Sequence, residues 1–128
     1  MSEENIETVR SIIDAYNRRD FDAMGTDPDF VLVPPGRQSP IKGADGVRAW
    51  MEPDAFESQV IEPLEFREAE NKVVVRQRSK IRGSGSGIEI DVVTWGVWTF
   101  KEAGHAVRLE VYLDHEKAKA LEAAGLRE

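Results

Sequence analysis

The sequence predicts an α+β domain, with three helical segments in the first half of the chain, an antiparallel sheet in the second half and a short helix at the end. Three observations lead there. Apolar residues recur at helical spacing over residues 3–18, whereas from about residue 59 the pattern alternates with the period of two that belongs to strands. Two of these alternating segments, 73–82 and 88–100, also bring opposite charges face to face in a single register.

Residues 3–18 place Ile6, Val9, Ile12, Ile13 and Tyr16 on one stripe and Glu, Arg and Asp on the other side, which makes an amphipathic helix. A second helical turn is expected at 20–24, with Asp20 as its N-cap and Gly25 and Pro28 ending it. The β-rich run Phe30-Val31-Leu32-Val33 stops at Pro34-Pro35-Gly36, which breaks any ladder. Residues 44–51 read as a third helix that buries Val47, Trp50 and Met51 and ends before Pro53.

In 73–82, Val73, Val75, Gln77, Ser79 and Ile81 share one face, and Val74, Arg76, Arg78, Lys80 and Arg82 share the other. The loop Gly83-Ser84-Gly85-Ser86-Gly87 leads to 88–100. Pairing Arg82 with Glu89 sets Lys80 opposite Asp91, Arg78 opposite Val93 and Arg76 opposite Trp95, so two opposite-charge pairs follow from one register. The same register puts Gln77 opposite Thr94, Ser79 opposite Val92, Ile81 opposite Ile90 and Val73 opposite Trp98 on the inner face. In the last strand, 107–114, Val107, Leu109, Val111 and Leu113 point inward, while Tyr112 meets Trp95 on the outer surface. Asp114 is expected to cap a terminal helix that runs through Ala124 and closes at Gly125.

Composition narrows the function. The length of 128 residues suits one domain spanning 1–128. No apolar run approaches the roughly 20 residues that span a bilayer. The opening Ser2-Glu3-Glu4 is acidic where an export signal would be basic and then apolar, so a cytoplasmic location without a membrane partner is expected. Cysteine is absent, which excludes disulfides, thiolate catalysis and cysteine-held metal centres. His105 and His115 are the only histidines, one beside a turn and the other at a helix start, so neither a metal site nor a cofactor is expected. The net charge of -7 argues against nucleic acid, which is bound through clustered Lys and Arg.

Taken in order, several pieces resemble the SnoaL-like branch of the nuclear-transport-factor-2-like superfamily. They are Asn5-Ile6-Glu7-Thr8-Val9-Arg10 with Ala15-Tyr16-Asn17-Arg18-Arg19-Asp20, Gly43-Ala44-Asp45-Gly46-Val47-Arg48, Val97-Trp98-Thr99-Phe100, and Val107-Arg108-Leu109-Glu110-Val111-Tyr112-Leu113-Asp114 followed by Leu121-Glu122-Ala123-Ala124-Gly125-Leu126. The resemblance implies a cone-shaped fold in which a curved antiparallel sheet wraps three N-terminal helices around an apolar cavity, often as a homodimer. It does not imply one activity, since such proteins include isomerases, dehydratases, epoxide hydrolases, polyketide cyclases and members that only bind or assemble.

The resemblance also locates where catalytic groups would stand. Steroid-isomerase-like members carry a carboxylate base near the end of the strand after the second helix, where this chain has Pro34. Cyclase-like members carry an inward Asp on the final strand, where this chain has Val111, and many SnoaL-like sequences have a His two residues before the Trp, where it has Gly96. What remains on the inner face is Gln77, Ser79 and Thr94, with Tyr16 and Trp98. Tyr16, Trp50, Gln77, Thr94 and Trp98 are therefore the candidate ligand-binding residues, and no catalytic set is assigned. Glu89 and Asp91 face Arg82 and Lys80 on the outer surface and read as solvated ion pairs. Arg37 and Lys42 flank a Pro- and Gly-rich loop, but no phosphate cradle accompanies them.

The expected function is a cavity protein that binds a small, mostly apolar molecule. One alternative is an enzyme of the isomerase, dehydratase or cyclase type in which Tyr16 polarises an oxygen and an unexpected carboxylate acts as base. Another is a dimeric assembly module whose cone is filled by side chains. A homodimer is expected through the outer face, where Arg76, Trp95 and Tyr112 lie side by side, unless the C-terminal helix or a loop covers that face within one chain.

Overall fold

The computed structural model describes residues 2–18, 20, 29–34, 40–43, 56–83, 85, 87–102 and 105–126. Helix α1, Ser2–Asn17, opens the chain. Six strands follow: β1 (Val31–Val33), β2 (Ile41–Lys42), β3 (Phe56–Ala69), β4 (Lys72–Gly83), β5 (Glu89–Glu102) and β6 (His105–Leu113). A 3-10 turn at Asp114–Glu116 leads into helix α2, Lys117–Ala123. Among the described residues one helix precedes the sheet where three were expected. The helical segments read at 21–24 and 44–51, Trp50 included, fall outside the described residues, as does Arg37. No helix among the described residues is long and apolar enough to cross a membrane.

The strands form one sheet in the order β2-β1-β6-β5-β4-β3. It is mixed and not purely antiparallel, because β1 runs parallel to β6, with Leu32 beside Leu109. A connection that spans the rest of the sheet separates these two strands in sequence, and only such a long crossover permits parallel pairing. The β4–β5 register agrees with the charge pattern at every position named above, from Val73↔Trp98 through Gln77↔Thr94 to Arg82↔Glu89, and Trp95 pairs with Tyr112 across β5–β6. One ion pair differs. Asp91 Oδ1 lies 3.3 Å from Arg78 Nε and not on Lys80, since a long guanidinium side chain reaches the diagonal neighbour on its face. Near the β5–β6 turn the register slips between Thr99 and Phe100, so Ala106, 1 % exposed, meets the core where Val107 was expected.

Both faces of the sheet are covered along part of its length. On the inner face α1 lays Val9, Ile12, Ile13 and Tyr16 against Val73, Val75, Trp98 and Phe100. On the outer face Ala120, Leu121 and Ala124 pack on Val74, Trp95 and Val97. This explains the consecutive Val73-Val74-Val75, all 0 % exposed, in a strand that alternates elsewhere. It also overturns the basis for a dimer through Trp95, because α2 seals that ring to 2 % exposure within one chain.

Asp114 does not cap the terminal helix as expected. Its Oδ1 accepts the Trp95 indole N–H at 3.0 Å and lies 4.0 Å from Arg76 Nε. The helix start is served by Glu116, whose Oε1 accepts the Leu113 backbone N–H at 3.1 Å; this bond holds the Glu116 carboxyl below its ordinary pKa. Lys117 is the cation over Trp95, with Nζ 5.5 Å from the ring centre.

The edge strand β3 is tied to α1. Asn17 donates from Nδ2 to the Ile61 carbonyl and accepts the Ile61 N–H on Oδ1, both at 2.8 Å, as a neighbouring strand would. Pro63 is tolerated there because an edge strand has one unpaired side, and the ladder shifts between Pro63 and Glu65.

Candidate functional site

The inner face of the sheet is where the sequence places its candidate residues, and four of the five are described. Tyr16, Gln77, Thr94 and Trp98 are 4, 5, 7 and 3 % exposed. The α1 stripe carries Tyr16 inward, and its hydroxyl donates to Gln59 Oε1 at 2.7 Å. Gln77 and Thr94 stand opposite each other on β4 and β5, and Gln77 Nε2 donates to Thr94 Oγ1 at 3.2 Å. Trp98 packs at a tilt on Phe30, with ring centres 6.2 Å apart. Its Nε1 is buried with no hydrogen-bond partner among the described residues. A buried N–H left in that state costs on the order of 1–3 kcal/mol, so it calls for a physical account.

Gln59 is a residue that sequence reasoning missed. It sits opposite Ile81 on the inner side of β3, a strand whose polar residues fall on both faces and so conceal its alternation. The signal available was the parity of Gln59 with the apolar Ile61. Both belong to the face that Tyr16 approaches.

At the three positions where the resemblance would put catalytic groups, the structure has a buried Pro34, a buried Gly96 and a Val111 packed against the inner core. Among the described residues the buried polar side chains are Asn5, Gln77 and Thr94, all uncharged. Among them, too, no group of His, Asp and Glu gathers that could hold a metal ion.

Two concavities lie outside this set. One, of about 630 Å³, is lined by Val60, Ile81 and Ile90 with Lys80, Arg82, Glu89 and Asp91, at the end of β3–β4–β5 farthest from α2. A smaller notch of about 240 Å³ lies between Val33, Pro34, Tyr112, Glu116 and Lys119. Beside that notch, burial and a hydrogen bond donated to Glu110 Oε2 at 3.0 Å push the Tyr112 hydroxyl up to about 12.

Comparison with known proteins agrees with this architecture. A nuclear-transport-factor-2-like protein of unknown function from Burkholderia pseudomallei K96243 is 26 % identical, with 91 % of this chain and 95 % of that chain covered at a TM-score of 0.75. The epoxide hydrolase/cyclase-like enzyme SalBIII, which has a role in pyran ring formation in salinomycin, is 16 % identical over 87 % and 91 % of the two chains, at a TM-score of 0.78. RV0760c from Mycobacterium tuberculosis, solved in complex with estradiol-17beta-hemisuccinate, is 16 % identical over 89 % and 95 %, at a TM-score of 0.75. No curated protein sequence matches the chain. The model of the SnoaL-like domain matches residues 9–109, and the chain belongs to that family.

Proposed function

We propose that this SnoaL-like domain binds a small, neutral, mostly apolar molecule in a cavity on the inner face of its sheet. Tyr16, Gln77, Thr94 and Trp98 would orient the ligand. The observation that carries this reading is the set of neutral polar groups buried on a face otherwise built from Val, Ile, Leu and Phe. A few polar groups among apolar walls are what small-molecule sites use to fix orientation. The steroid hemisuccinate bound by RV0760c, a protein of the same fold, supports a ligand with a mainly apolar body, although its own tail carries a carboxylate. An isomerase-, dehydratase- or cyclase-type reaction is the second reading. It is favoured by the fold likeness to SalBIII and would use the Tyr16 hydroxyl to polarise an oxygen.

Native mass spectrometry of freshly purified protein, followed by titration with estradiol under tryptophan fluorescence, tests the reading. The expected result is a retained small molecule or saturable binding, weakened by Gln77→Leu. A bare protein mass together with no binding of estradiol or other neutral apolar compounds would contradict it.

A homodimer is also proposed, at the end of the sheet that α2 leaves uncovered. Val60, which pairs with Lys80 and shares its outer face, is 43 % exposed there. A two-fold copy would set Lys80 and Arg82 of one protomer against Glu89 and Asp91 of its partner.

A further inference from the structure

Gly96 lies on β5 at the centre of the inner face, where the lack of a side chain lets three atoms close in. A Cβ placed there would lie 3.5 Å from Trp98 Nε1, 3.5 Å from Gln77 Oε1 and 3.2 Å from Leu109 Cδ1. The first of these atoms is a buried donor with no acceptor among the described residues. The second is an acceptor that receives no hydrogen bond among the described residues, since the Gln77 amide is held through its Nε2 on Thr94. The third is the end of a rotatable, partly buried side chain, which can turn aside without breaking a hydrogen bond.

We propose that the place beside Gly96 is a subsite for a hydroxyl group of the bound molecule. The hydroxyl oxygen accepts the Trp98 indole N–H, and its proton is donated to Gln77 Oε1, with Leu109 displaced to admit it. A hydroxyl is the neutral group that both accepts and donates through one oxygen, so it satisfies the two atoms together. A ketone would satisfy the indole but turn a second carbonyl toward Gln77 Oε1, and a carboxylate would set a negative oxygen against it. This inference rests on the cavity reading above and adds the chemical class of the group that is held.

The test is a titration of ¹⁵N-labelled full-length protein with cyclohexanol, cyclohexanone and methylcyclohexane, following the Trp98 indole N–H resonance. Cyclohexanol is expected to move that resonance downfield and to bind about tenfold tighter than methylcyclohexane, the size of one net hydrogen bond. Cyclohexanone should fall between them. Gly96→Ala, whose Cβ would stand between the two polar atoms and Leu109, and Trp98→Phe, which removes the donor, should each bring the alcohol-to-hydrocarbon ratio close to one. If all three probes bind alike and the indole resonance stays still, the cavity reading survives and the hydroxyl subsite is wrong. A ketone that binds as tightly as the alcohol also overturns it, and failure of every probe to bind removes both readings.

Discussion

Trp95 and Trp98 are three residues apart on β5 and therefore point to opposite faces, where their indole N–H groups meet different surroundings. Trp95 donates to Asp114, and Trp98 donates to nothing among the described residues. Asp114→Ala should leave the Trp95 N–H buried and unpaired and lower stability by about 1–3 kcal/mol, read from the urea midpoint at an unchanged slope. Sequence could not reveal this role, because an Asp just ahead of a helical segment is equally a capping residue, and only the tertiary position of Trp95 decides between the two uses. Tyr112 supplies a pH test. Its folded-state pKa of about 12 lies above the ordinary 10, so folding favours the protonated phenol. The resulting stability is complete below pH 10 and is lost as the pH rises toward 12. Tyr112→Phe should flatten the fall in stability over that window relative to wild type. A variant that falls as steeply as wild type would show that Tyr112 does not set the slope.

Elements were legible where their pattern was one-sided. Alternation and cross-strand charge fixed the β4–β5 register, since a slip of one residue would have sent Gln77 to solvent and Arg78 to the core. Where cover was two-sided the reading went astray. Alternation alone puts Val74 on an outer face open to solvent, although runs such as Val73-Val74-Val75 signal packing on both sides, and α2 is what packs there. The edge strand β3 was hard to see for the opposite reason, with charged residues and Pro63 along much of its length. Its attachment depends on Asn17, a residue with no helical signature of its own. Asn17→Ala removes both bonds to Ile61 and should cost about 1–3 kcal/mol. Hydrogen exchange should then speed up at the Ile61 amide before it does along β4; equal protection of Ile61 in variant and wild type would contradict the clamp.

For the molecule as a whole, the SnoaL-like family and α+β class were readable because many weak motifs occur in the right order, whereas the mixed sheet was not, since β1 meets β6 only in the folded chain. With Trp95 sealed by α2, assembly moves to the far end of the sheet. Wild type should sediment as a dimer and Val60→Glu as a monomer, whereas Trp95→Phe should leave the dimer intact. A wild-type monomer at tens of micromolar would remove the proposed interface. The central claim concerns the other face, where Tyr16, Gln77, Thr94 and Trp98 are proposed to line a hollow that holds a ligand. Apolar hollows take up xenon, so diffraction from crystals pressurised with xenon tests that claim most directly. The account predicts a xenon peak on the inner face in contact with Trp98 and Leu109. Peaks confined to the outer surface, with side chains filling the inner face, would contradict it and favour a module that only assembles.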